Sequence, residues 1–285
     1  MAKDIQQEIT DKLIEALENG VKPWERPWDQ TGLAILPTNF KTGKAYSGMN
    51  LLLLWLAADK NNYSSEMWLT FKQAKELGGQ VRKGEKGTTC IFYKAFIKED
   101  KVTGEEESFR VMRPFTVFNL DQIDGIEMPT VQHETVSMDS RCERADQFIG
   151  SAGMHIEYGF NQAAYSPAQN KIWMPALSAF HSEPDFYATL FHEMVHATAH
   201  RSRLDRDTSC YAFEELVAEI GAAMLMHHFG IKGDVQHESY VANWLQRLND
   251  DKRFIFKAAA AANKAFEFLK ECDPHHEEAS LSDAA

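Results

Sequence analysis

Leu190-Phe191-His192-Glu193-Met194-Val195-His196 is the stretch from which the second half of this chain is read. On a helix of 3.6 residues per turn, positions i and i+4 lie one above the other on one face. His192 and His196 therefore offer two imidazole nitrogens to a single metal ion, and Glu193 lies beside that face, within reach of a bound water. Leu190, Phe191, Met194, Val195 and Ala197 supply the apolar side on which such a helix is held. Ser182-Glu183-Pro184-Asp185 reads as its N-terminal cap.

A second acidic cluster follows within the run Tyr211 to Phe229, where Phe213, Leu216, Val217, Ile220, Met224 and Leu225 form an apolar stripe of helical period. Alone, Glu214, Glu215 and Glu219 read as a solvated helix face. Beside H-E-x-x-H they read as metal chemistry, because Glu215 and Glu219 are themselves i and i+4. One can ligate the metal while the other accepts the free N–H of a ligand histidine. Two imidazoles and one carboxylate leave a divalent ion an open position for water, whose pKa falls toward about 7. Glu193 is then placed to take that water's proton and deliver it to a leaving amine. Tyr211, His200 and His237 are candidate donors to a developing oxyanion, and the sequence does not choose among them. Zinc is the default ion for this donor set, with manganese or cobalt also able to occupy it.

Length and composition agree with an ordinary folded protein of two domains: 285 residues, 44% apolar and 25% charged. The longest apolar run, Leu51 to Ala58, is too short to span a bilayer, and Met1-Ala2-Lys3-Asp4 lacks a signal-peptide core. No membrane partner is expected. Cys90, Cys142, Cys210 and Cys272 are scattered without C-x-x-C pairing and read as free thiols of a reducing cytoplasm.

The net charge of −12 conceals an asymmetry. Gly20 to Lys98 holds twelve Lys and Arg against six Asp and Glu, whereas residues 131–285 hold thirteen against twenty-three. A basic N-terminal stretch joined to an acidic remainder is the footprint of a nucleic-acid-binding region. Within it, Trp24 and Trp28 flank Arg26 on a proline-stiffened loop. Their rings either stack on unpaired bases or close the domain as a hydrophobic clasp. Lys41 and Lys44 are candidate phosphate contacts and Tyr46 a candidate stacking partner. Lys83 and Lys86 sit in a glycine-punctuated basic loop that lacks P-loop spacing.

Asp4 to Asn19 has helical spacing, and Asn50 is a candidate cap for an apolar helix Leu51–Asp59. Thr70-Phe71-Lys72-Gln73 reads as a capping box. Thr88 to Ile97 and Ser108 to Asn119 alternate as two strands of an antiparallel meander. These segments predict a first domain over 1–125 and a linker over 126–138. A second domain follows over 139–271, with a helix Asp139–Ala152, strands Met154–Tyr158 and Lys171–Pro175, and helices Glu238–Leu248 and Lys252–Lys270. The acidic segment 272–285 reads as a disordered tail.

Together, Pro23-Trp24-x-x-Pro27-Trp28, Tyr46-Ser47-Gly48-Met49-Asn50, Trp68-Leu69-Thr70-Phe71-Lys72-Gln73-Ala74, Gly78-Gly79, Lys83-Gly84-Glu85-Lys86-Gly87, H-E-x-x-H and Tyr211-Ala212-Phe213-Glu214-Glu215 resemble the ArdC-type antirestriction proteins of conjugative plasmids over about residues 5–270. The C-terminal part is similar to gluzincin-type metallopeptidases. The resemblance implies an α+β chain of two domains. The N-terminal one binds single-stranded DNA, is built on antiparallel strands and is shared with TraC-type plasmid primases; the C-terminal one is a zincin-like metallopeptidase domain. It implies Glu215 as third ligand and Glu219 as the carboxylate behind a ligand histidine. It also places a strand at Lys171–Pro175 along the cleft. The implied role is protection of incoming DNA from restriction, with a DNA-bound protein such as a restriction enzyme as substrate. The alternative is a protein that shields single-stranded DNA by binding alone, its metal site structural or vestigial. One departure stands out: Thr198-Ala199-His200 replaces a Thr-Gly-His step. Ala199 resists positive φ, so the helix is expected to run further, bringing His200 one turn from His196 as a rival to Glu215.

Overall fold

The computed structural model describes residues 4–24, 36–99, 106–126, 138–232 and 240–275. Two compact units form, one of Pro37–Met128 and one of Met1–Leu36 together with Pro129–Ala285. The α+β, two-domain reading holds, but the first unit does not begin at the N-terminus. Helix α1 (Ile5–Glu18), capped by Asp4, buries Ile9, Leu13 and Leu17 in the unit that carries the H-E-x-x-H helix. Thr10 Oγ1 donates to the Lys252 carbonyl at 2.8 Å, and Trp24 meets Trp244 edge to face with centroids 5.5 Å apart. An apolar stripe announces that a helix needs a partner; its partner here lies at the other end of the chain, beyond local periodicity.

In the Pro37–Met128 unit, β1 (Thr38–Asn39), α2 (Met49–Asn61), β2 (Met67–Thr70), α3 (Phe71–Glu76), β3 (Gln80–Val81), β4 (Thr88–Glu99), β5 (Glu106–Asn119) and β6 (Ile123–Asp124) follow in order. The main sheet runs β1-β2-β5-β4, and β3 pairs with β6. The β4–β5 register holds from Thr88↔Val117 to Glu99↔Glu106. The sheet is not wholly antiparallel, since β1 runs parallel to β2. Successive residues of a strand face opposite ways. Trp68 packs with Cys90 and Val117 under Leu54 and Ala58 of α2, while Leu69 packs on Ala74 of α3, so β2 is covered on both faces. Thr70 and Gln73 form the expected capping box. Asn50 does not cap α2, whose N-cap is Gly48. Its amide instead exchanges two 2.8 Å hydrogen bonds with the backbone of Ile91, fastening α2 to β4.

In the other unit, α4 (Met138–Ser151) leads to β7 (His155–Tyr158), β8 (Ala164–Ser166) and β9 (Lys171–Met174). The helices α5 (Glu183–Ala197), α6 (Tyr211–Phe229), α7 (Val241–Asp250) and α8 (Phe254–Lys270) complete it. The sheet order is β7-β9-β8, β9 being parallel to β7 and antiparallel to β8. Ser182 caps α5 through Asp185 N–H. Helix α6 is buried almost all round, as a helix apolar on every side must be. Phe148, Phe191 and Phe229 join α4, α5 and α6, their centroids 4.9 to 6.0 Å apart. No helix among the described residues is long and apolar enough to cross a membrane.

Where α5 crosses α6, Gly221 faces Val195, and a Cβ on Gly221 would stand 2.8 Å from Val195 Cγ2. The helices approach this closely because that side chain is missing. Past α8 the chain does not leave the fold at once. Asp273 is 4% exposed and accepts from Arg144 of α4 at 2.7 Å and from His228 of α6 at 2.9 Å. Cys272 to His275, expected as the start of a tail, are thus held on the fold around this carboxylate; residues 276–285 lie outside the described residues, as does the greater part of the expected linker.

Two outcomes follow for stability. Gly221→Ala should lower unfolding free energy by about 1–3 kcal/mol through overpacking, read from urea denaturation. Burial works against the Asp273 charge, but His228, Arg144 and the His275 N–H outweigh it and hold the carboxyl below its ordinary 3.8. Its stabilisation is thus complete above that value and lost as pH falls below it. Asp273→Asn should cost about 1–3 kcal/mol at pH 7, and melting curves of the two proteins should converge only as pH falls well below the ordinary carboxyl value of 3.8, toward the lowered folded-state pKa.

Candidate metal centre

His192 and His196 project from α5 toward the first turns of α6. Their Nε2 atoms lie 3.0 Å apart, and Glu215 places one oxygen 3.5 Å from His192 Nε2 and the other 3.6 Å from His196 Nε2. Around an ion with bonds of 2.0–2.1 Å, tetrahedral ligand atoms sit about 3.3 Å apart. The donor set fits a divalent metal in both identity and spacing. Among the described residues, these three form the group of His, Cys, Asp and Glu able to hold an ion.

His196 shows how the site is held from behind. Its Nδ1 lies 3.1 Å from Glu214 Oε1. An ionised carboxylate only accepts, so Nδ1 carries the proton and the Nε2 lone pair is left facing His192 and Glu215. Glu214 is kept ionised: burial opposes its charge, but Arg206 and His196 outweigh that, and its pKa is lowered. For His196, burial opposes charging, yet the Glu214 hydrogen bond and the charges of Glu193, Glu214 and Glu215 prevail and raise its pKa. Glu215 is likewise lowered despite burial, by His192, His196 and the hydroxyl of Tyr211.

The resemblance implies Glu219 as the carboxylate behind a ligand histidine, without saying which one. That carboxylate is buried one turn beyond Glu215, 1% exposed, but the bond to His196 comes from Glu214. The signal was the doublet itself. Neighbours on a helix point about 100° apart, so one glutamate can meet the ligand face of an imidazole while the next meets its back. Arg206, which donates to both oxygens of Glu214 at 2.9 and 2.5 Å, lay in a connection that reads only as polar.

The centre opens into a cleft of about 420 Å³ lined by Glu193, Ala164, Tyr165, His200, Tyr211 and Tyr240 among others. The strand beside it is β8, not Lys171–Met174, which is the central strand of its sheet. Three residues with two turn-like neighbours gave β8 no recognisable period. Nor does α5 run on past His196. It ends at Ala197, and Ala199 and His200 close i→i+3 turns onto His196 and Ala197 without positive φ. His200 Nδ1 accepts from Ser202 N–H at 3.2 Å and lies 2.7 Å from Ser202 Oγ. It lines the cleft and stands outside the three-residue ligand group. Tyr211 stands one turn before Glu215, its hydroxyl 2.6 Å from that of Tyr240. Burial, then Tyr240 and Glu215, push its phenol up, so it stays a donor at neutral pH. His237 lies outside the described residues.

Of the residues expected at a DNA surface, Trp24 is 3% exposed and packed on Trp244, so the clasp reading applies to it. Arg26 and Trp28 lie outside the described residues. Tyr46 is half-buried against the core under α2, its hydroxyl accepting from Asn39 at 3.2 Å. Lys41 pairs with Glu76, and Lys44, Lys83 and Lys86 are exposed. Among the described residues of the Pro37–Met128 unit, the exposed aromatics are Phe71, Phe92 and Tyr93, which the sequence did not single out.

Residues 3–118 match the N-terminal domain of anti-restriction factor ArdC, and residues 143–261 match the zincin-like metallopeptidase family. The antirestriction ArdC protein of plasmid R388 superposes in its metal-free crystal structure with a TM-score of 0.83 at 43% identity, over 95% of this chain and 98% of that one. Its Mn(II)-bound structure gives 0.80 at 40% identity over 95% and 99%. The uncharacterized protein y4eC of Sinorhizobium fredii (strain NBRC 101917 / NGR234) is 35% identical over 93% of this chain and 91% of its own length. DNA primase TraC of Escherichia coli is 36% identical over 94% of this chain, which spans 27% of the primase. With both halves matched and full-length relatives on either side of the comparison, this chain belongs to the ArdC family of antirestriction proteins, its C-terminal part a zincin-like metallopeptidase domain.

Proposed function

We propose that this protein binds single-stranded DNA and carries a metal-dependent peptidase site, and that it protects incoming DNA by cutting a protein bound to that DNA. The convergence of His192, His196 and Glu215 beside Glu193 in one cleft carries the reading. Zinc is the ion this donor set favours, with manganese, the ion of the Mn(II)-bound R388 relative, and cobalt as substitutes. When bound, the ion supplies a polarised carbonyl and an acidified water. Glu193 takes a proton from the attacking water and returns it to the leaving nitrogen. Glu214 holds His196 in the tautomer that presents Nε2, and Tyr211, kept protonated, donates to the oxygen on which charge develops. The Glu219 carboxylate, buried beneath Glu215, adds support behind the ligand set.

The single-stranded-DNA half of the reading is supported by the ArdC and TraC matches and by the exposed Lys44, Lys83 and Lys86, which suit phosphates. Bases stack on exposed rings, a part that Phe71, Phe92 and Tyr93 suit better than the packed Trp24.

Two measurements test this. Chelation should lower the melting temperature of wild type and added Zn(II) or Mn(II) should restore it, the gain reaching about 2.7 kcal/mol at a hundredfold excess over Kd; His192→Ala should abolish the response. Glu193→Gln should retain metal and DNA binding yet lose protection of DNA from a restriction endonuclease. Equal protection by the mutant would show that the protein shields DNA by binding alone.

A further inference from the structure

Arg206 occupies a position that neither the H-E-x-x-H pattern nor the ligand set includes. It stands in the connection between α5 and α6, its side chain 10% exposed. Its guanidinium makes four hydrogen bonds to three partners. Nε and Nη2 donate to the two oxygens of Glu214. Nη1 donates to Thr198 Oγ1 at 3.0 Å, and Nη2 also reaches the Val195 carbonyl at 3.1 Å. Its own backbone N–H donates to Ala199 O at 3.1 Å. Val195 and Thr198 bracket His196, so one rigid group grips the chain on both sides of the ligand and, through Glu214, the back of its ring.

The last carbonyls of a helix lack intrahelical partners, and cations near them are favourable. Arg203 does this at Ala197 O, 3.0 Å away. Arg206 does more, because the carboxylate that aligns it also fixes His196. A planar fork with five donors can serve Glu214, Thr198 and Val195 together; an ammonium on a flexible stem cannot.

We infer that Arg206 is a positioning residue of the metal centre: acting through Glu214, it locks the His196 ring with Nε2 toward His192 and Glu215, and thereby sets how tightly a divalent ion is held. This rests on the metal centre proposed above. Outer partners of ligand histidines typically contribute 10–100-fold in metal affinity, and Arg206 is expected in that range although it touches no ligand atom.

The test is calorimetric titration of Mn(II) into the metal-free full chain, with thermal melting of the same samples, for wild type, Arg206→Lys, Glu214→Gln and Thr198→Ala. The last removes a contact of Arg206 at the helix end but leaves Glu214 in place, and serves as the structural control. Arg206→Lys and Glu214→Gln should each weaken Mn(II) binding by roughly 10-fold or more while still melting cooperatively without metal. Thr198→Ala should lose stability and keep wild-type affinity. Wild-type affinity in Arg206→Lys overturns the inference, as does an equal loss of affinity in Thr198→Ala, which would reduce Arg206 to a helix-end brace. Should Arg206→Lys fail to fold, Glu214→Gln decides, and undiminished binding there overturns it. A wild type that takes up no Mn(II) overturns the metal centre and this inference together.

Discussion

The metal centre depends on how closely α5 and α6 approach, and that distance is set where Gly221 meets Val195. Two ligands come from one helix and the third from the other, so the ligand triangle is only as good as the helix packing. Metal–ligand bonds tolerate shifts of about 0.2 Å, far less than one methyl group would impose at the crossing. The Phe148, Phe191 and Phe229 cluster and the encircling burial of α6 make that crossing stiff, since close-packed interiors transmit a displacement rather than absorb it. The core is built around the site, and the chemistry inherits its precision from apolar contacts.

What the sequence revealed follows from the range of each signal. His192, His196 and Glu193 were legible because i, i+1 and i+4 on one helix fix their geometry without knowledge of anything else. Ser182, the Thr70–Gln73 box and the β4–β5 pair were legible for the same local reason. Glu214 was read as one of a trio but given no role, because its role depends on which way His196 turns its Nδ1. Arg206, Tyr240 and strand β8 were invisible, their meaning arising only where separate segments meet. Asn50 looked like a cap and is a clamp; the residue type was right for exposed backbone groups, but those groups belong to Ile91 across the unit.

The burial of α1 and Trp24 beside Trp244 changes how the charge asymmetry is understood. The basic stretch Gly20–Lys98 spans the boundary at Pro37, and the unit Pro37–Met128 itself holds thirteen Lys and Arg against twelve Asp and Glu. Its acidic residues crowd toward the β4–β5 connection, Glu99 to Glu107, while its basic ones fall mainly between Lys41 and Lys94. A polyanion responds to charge over about a Debye length, roughly 8–10 Å, not to the total of a domain. Along the chain of this unit, charge is segregated although it nearly cancels in total.

The same electrostatics explains why so acidic a cleft is compatible with folding. Glu214 and Glu215 are 5% and 6% exposed, each a charge taken out of water. Such burial is costly unless each charge is paired and hydrogen-bonded. Arg206 neutralises one, through two charge-assisted bonds to Glu214. The Glu215 charge remains beside two imidazoles whose Nε2 atoms stand 3.0 Å apart, each within 3.6 Å of one of its oxygens. A divalent cation brings two positive charges to the point where both nitrogens and Glu215 already aim. Ligand geometry, charge and the bond from Glu214 to the back of His196 thus favour the same occupant, and Arg206 ties that bond to the C-terminal end of α5.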